Sequence, residues 1–148
     1  MIKAEATDYG LKMEVSGIVD KAAFTEIDQK LHHFLEMMEG EPSLWIDVRD
    51  VAVAPEADEP TMKRILEYIT SKHVNRVAII FTTSTQILNF AKVVNDAGAT
   101  EFVRYFSPIF RSNWETFAIK WIKDGKCPIT YREGSGAYPA LKRPETKS

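Results

Sequence analysis

Cysteine is nearly absent from this 148-residue chain: Cys127 stands alone. A single thiol closes no internal bridge, which excludes a disulfide framework and fits a reducing compartment. Long apolar runs are missing too. The longest, Val77 to Phe81, falls far short of the ~20 residues that cross a bilayer, so no membrane-spanning helix is expected. The opening MIKAEATDYG is charged from Lys3 onward and lacks the apolar stretch of a signal peptide, which leads to an expected cytoplasmic location. Excess charge of one sign is also lacking, with 19 Lys and Arg against 21 Asp and Glu. Phosphate binding needs a basic face, and none is patterned here, so nucleic acid is not an expected partner.

Metal and catalytic motifs are equally scarce. His32 and His33 are adjacent, so on a helix their side chains diverge by ~100° and do not converge on one ion. His73 is remote, and neither CxxC nor HExxH spacing occurs, so no metal is expected. The phosphate loop GxxxxGK[ST], the dinucleotide turn GxGxxG and the nucleophile elbow GxSxG are all absent. Cys127 lies outside the regular pattern with no recognisable base to orient it. Neither an enzyme nor a resident cofactor is expected.

What is present is a clear alternation of periods. Apolar residues make up 45% of the chain, enough for one domain that buries roughly two thirds of its unfolded surface. Ile2–Thr7 and Leu11–Ser16 alternate with period two, and Asp8, Tyr9 and Gly10 between them supply turn chemistry, so a hairpin is predicted. Phe24, Ile27, Leu31, Phe34, Leu35 and Met38 then recur at helical spacing from an Asp20 cap to about Glu39, before Gly40 and Pro42. Leu44–Val48 and Val77–Phe81 read as buried strands. Between them Met62, Ile65, Leu66 and Ile69 form a helical stripe, with Pro60 in its first turn. Thr83, Ser84 or Thr85 is placed to cap a third helix carrying Ile87, Leu88, Ala91 and Val94 up to Gly98. A last strand, Phe102–Phe106, precedes a helix opened by Ser112 or Asn113, with Trp114, Phe117, Ala118, Trp121 and Ile122 inward and Gly125 as its stop. The order β-β-α-β-α-β-α-β-α predicts an α/β domain over residues 1–125 with a mixed, mostly parallel sheet and helical cover. Residues 126–148 lose the pattern and read as a flexible tail.

Four segments, LKMEVSGIVD, SLWIDVRDV, NRVAIIFT and EFVRYFS…ETFAIKWIKDG, resemble those of STAS-like proteins, and most closely the small SpoIIAA-like group. The most specific match is Arg104-Tyr105-Phe106 followed by Trp121-Ile122. The resemblance implies a non-catalytic domain of the kind that antagonises anti-sigma factors, regulates anion transporters or senses ligands and lipids. It also implies where a phosphorylated Ser would stand in the antagonists. That place is held by Glu56, no Ser lies between Ser43 and Ser71, and Thr61 falls inside the next helix. The SpoIIAA-like group commonly lacks that Ser, and small-molecule or lipid binding has been inferred for it.

Four regions are candidates for binding, each with a structural explanation beside it. The predicted loop Arg49–Pro60 carries Asp50, Glu56, Asp58 and Glu59, which either complement a helix N-terminus or dock a partner. Thr82, Thr83, Ser84 and Thr85 follow the most buried strand, where open α/β sheets gather ligands, and capping accounts for only some of these hydroxyls. Arg104 interrupts an apolar strand, so pairing with a carboxylate such as Asp47, or contact with an anionic ligand, is expected. A cluster of Phe34, Leu35, Met37 and Met38, with Phe90 and Phe110 off their helical stripes, reads mostly as core; any exposed part of it would form a groove for an acyl chain or for a second copy in a homodimer. The leading expectation is a STAS-like binding domain for a small apolar or amphipathic, lipid-like ligand or a protein partner. Its rivals are a partner switch without phosphoserine, and an enzyme using Thr82–Thr85 with Asp47.

Overall fold

The computed structural model describes residues 1–53 and 59–126. Two N-terminal strands, β1 (Ile2–Ala6) and β2 (Gly10–Val19), form an antiparallel hairpin in which Ala4 pairs with Met13. Thr7 and Gly10 exchange backbone hydrogen bonds across its turn. Gly10 has φ +147, and an added Cβ would sit 2.2 Å from the Ser43 carbonyl oxygen of the neighbouring strand. Backbone geometry and close approach both require glycine there.

Helix α1 (Lys21–Glu36) starts where predicted, with the Asp20 carboxylate accepting from the Ala23 N–H at 2.9 Å. It stops at Glu36 rather than near Glu39, capped at Met37. Strand β3 (Ser43–Val53) then runs parallel to β2 and is longer than its apolar stretch suggests. Helix α2 (Glu59–Ser71), strand β4 (Val77–Ile80), a 3₁₀ turn (Ser84–Gln86), helix α3 (Leu88–Asp96), strand β5 (Val103–Phe106) and helix α4 (Trp114–Asp124) complete the order. His73 lies past the end of α2 with φ 56.

The sheet order is β1-β2-β3-β4-β5, antiparallel at the first pair and parallel at the rest. Strands that always advance toward the same edge place their crossover helices on one face, given crossovers of one hand. Accordingly α1, α2 and α3 share a core with Leu11, Met13, Leu44, Val77, Ile79 and Val103. Helix α4 crosses to the other face and packs Ala118, Trp121 and Ile122 on Trp45, Ala78, Ile80 and Phe106. The Trp121 indole N–H is satisfied by the Val77 carbonyl at 3.1 Å, as a buried indole requires. No helix among the described residues is long and apolar enough to cross a membrane.

Candidate functional site: an apolar cavity beyond the strand ends

Strands β3 and β4 pair only from Leu44/Val77 to Asp47/Ile80. Beyond that point β3 continues alone beside β2, and their register slips between Glu14/Asp47 and Ser16/Asp50. Three residues of β3 are thus matched to two of β2, a bulge that re-phases the strand. Ile46, Val48 and Val51 consequently line the same cavity, although strict alternation would send Val51 to the other face.

The cavity has a volume of about 140 Å³ and lies between this part of the sheet and the three helices above it. Val15 and Val19 of β2, Phe24, Ile27 and Leu31 of α1, and Met62, Ile65 and Ile69 of α2 form most of the wall. Ile79 closes it from β4, and Ile87 and Phe90 from the start of α3. Only Thr85, Gln86 and Asn89 are polar, and they stand together on the 3₁₀ turn and the first turn of α3. Met62, Ile65 and Ile69 are buried, whereas Thr85 is exposed and Val19, Phe24 and Asn89 are half-buried. The cavity therefore opens at the carboxyl ends of the parallel strands, where open α/β sheets place their ligands.

Gln86 builds the polar wall. Its Nε2 donates to the Arg49 carbonyl at 2.9 Å and the Val51 carbonyl at 3.0 Å. Its Oε1 accepts from the N–H groups of Thr82 at 2.8 Å and Thr83 at 3.1 Å. The carboxamide stands in for the missing continuation of β4, satisfying β3 carbonyls that no strand reaches. The Thr82 hydroxyl lies 3.2 Å from the Arg49 carbonyl and 3.1 Å from Gln86 Oε1 and can donate to either one. The Thr83 and Thr85 hydroxyls pair at 2.9 Å. Ser84 is exposed in the turn. The N–H groups of Thr82 and Thr83 at this strand end are thus engaged by a side chain that sequence reading passed over. The spacing of Gln86 three residues after Thr83 is the capping-box pattern and was the available signal.

The other nominated residues lie elsewhere. Arg49 and Asp50 belong to β3, not to a loop, while Glu56 and Asp58 lie outside the described residues, as does Cys127. Asp47 faces α4 and is held by Arg49, whose Nη2 donates at 2.8 Å and whose backbone N–H donates at 3.0 Å. The side-chain hydrogen bond to Asp47 raises the pKa of the Arg49 guanidinium above its ordinary value, and the guanidinium also lies over the Trp114 ring at 4.9 Å. Arg104 does not reach Asp47, because β4 separates their strands. It donates instead to the carbonyls of Thr100 at 2.6 Å and Val103 at 3.0 Å and stacks over Trp121 at 4.3 Å. Stacking and carbonyl contacts replace the carboxylate partner that its charge led one to expect.

The apolar groove also differs from expectation. Phe90 lines the cavity, but Leu35 is core, Met37 is 65% exposed and Phe110 sits on Phe81 outside the cavity. Leu88, expected inward, is exposed. Among the described residues no group of three or more His, Cys, Asp and Glu is placed to hold a metal ion.

With this geometry in place, solved structures offer a comparison. The anti-sigma factor antagonist SpoIIAA in its unphosphorylated form superposes with a TM-score of 0.55 over 83% of this chain and 96% of its own, at 10% identity. The chain has a SpoIIAA-like fold. An uncharacterized protein of the DUF3478 family from Shewanella loihica PV-4, also with a SpoIIAA-like fold, gives a TM-score of 0.52 at 17% identity. That match covers 80% of this chain and 92% of the other. No protein-family model and no curated protein matches the sequence. At such identities the likeness concerns the fold, and the SpoIIAA-like architecture accounts for the sheet order and helix placement described above.

Proposed function

We propose that the chain is a non-catalytic, SpoIIAA-like binding domain that takes a small apolar or amphipathic molecule into the cavity above β2 and β3. The cavity is the observation that carries this reading. An apolar hollow of about 140 Å³ inside a small domain forfeits dispersion contacts that close packing would otherwise supply. An occupant restores them. The placement of the opening beyond the carboxyl ends of the strands, with polar side chains gathered on one wall, supports the same reading. Asp47, the carboxylate nominated for acid–base work, is engaged by Arg49 on the opposite face of the sheet, which favours binding over catalysis. Glu56 in place of a phosphorylatable Ser weighs against a phosphoswitch.

Native mass spectrometry of freshly purified protein, set against its denatured mass, tests the proposal. A discrete non-covalent excess mass is expected in the wild type and not in Ile65→Phe, which fills the cavity from α2. Ile27→Phe, at a half-buried position on α1, serves the same purpose if the first variant folds poorly. A wild type that carries no excess mass and takes up no benzene from solution overturns the reading.

A further inference from the structure

Resting on the cavity reading above, we infer that the molecule held there is electrically neutral, about the size of a six-carbon ring or chain, with one hydrogen-bonding group at the rim. Charge is decided by the lining. None of the described residues facing the cavity is Asp, Glu, Lys, Arg or His. An ion drawn inside would lose its water and meet no charged partner among the described residues, a cost that apolar contact does not offset. Size follows from volume, since an apolar protein cavity of about 150 Å³ accommodates benzene.

The position of the polar group follows from elimination among three side chains. Gln86 has both amide hydrogens on carbonyls of β3 and its oxygen on backbone N–H groups, so it presents nothing further to a ligand. Thr85 shares one hydrogen bond with Thr83 and keeps capacity for another. The Asn89 carboxamide makes no hydrogen bond to any described residue. It is half-buried at the opening and offers both a donor and an acceptor. Asn89 and Thr85 together fit the hydroxyl, carbonyl or amide end of a neutral amphiphile whose apolar body reaches Ile65 and Ile69.

Calorimetric titration of the full chain with n-hexanol, benzene, hexanoate and n-hexylamine at neutral pH tests this. The expected result is that n-hexanol and benzene compete for one site, with hexanoate and protonated hexylamine at least about tenfold weaker. Asn89→Ala is expected to weaken n-hexanol about threefold and leave benzene unchanged, because only the alcohol uses the amide. Hexanoate binding as tightly as n-hexanol, or Asn89→Ala weakening both neutral probes equally, would overturn this inference while leaving the cavity as a binding site. Failure of all four probes to bind a protein that has a normal circular dichroism spectrum and carries no excess mass removes the cavity reading itself. Ile65→Phe and Ile27→Phe localise the signal, since loss of binding in either folded variant is expected only for a ligand inside.

Discussion

Tyr105 buries a phenol on the face of β5 that packs in the larger core, and its hydroxyl finds no partner among the described residues. Burial pushes its pKa upward. Losing an unpaired hydroxyl removes a desolvation cost without breaking a bond. Tyr105→Phe is therefore expected to leave urea-unfolding stability unchanged or raise it by up to about 1 kcal/mol, and a clear loss would reveal a hydrogen bond to that oxygen. A contrasting tyrosine ties α1 to α2 at the surface. Tyr68 donates to Glu36 Oε2 at 2.7 Å, Lys72 lies 3.5 Å from Oε1, and the phenol ring stacks on His32 with centroids 3.6 Å apart. The Tyr68 hydrogen bond, then the Lys72 charge, hold the Glu36 carboxyl below its ordinary 4.5. A carboxylate with a depressed folded-state pKa contributes stability above its unfolded pKa and loses it as pH falls through the folded value. Glu36→Gln should lower the melting temperature at neutral pH, and its gap from wild type should close as pH drops below 4.5. A gap that persists in acid would mean that charge is not the source.

The elements were legible where their periods were clean. Alternation at Leu11, Met13 and Val15 and the helical recurrence of Phe24, Ile27 and Leu31 made β2 and α1 readable, and Asp20 marked its cap. The end of β3 was obscured because Arg49 and Asp50 break the apolar run just where β4 departs and the bulge forms. Past that point the strand is held on one side by β2 and on the other by Gln86, a contact across 35 or more residues that no local pattern announces. Gln86→Leu should therefore cost about 1–3 kcal/mol in urea unfolding, since it strands two β3 carbonyls and two N–H groups. Faster amide exchange at Thr82 and Thr83 should accompany it. An unchanged midpoint would mean that water replaces the carboxamide without loss.

At the scale of the molecule, the cavity was the least legible feature, because its walls come from seven elements and its volume depends on how far three helices stand off the sheet. Val51 and Ile65 look like ordinary core residues in sequence, and only their joint placement leaves space between them. The fold itself was far more legible, since strand–helix alternation has few sterically sound closures. Its strand order carries a consequence for assembly. Spatial order in the sheet is identical to order along the chain, so each strand joins the one made just before it. A chain emerging from the ribosome N-terminus first can add strands at one growing edge, and no formed pair has to be reopened to admit a later one. In such an order the hairpin of β1 and β2 is available first, and β5 is added as the last edge strand before α4 covers the second face.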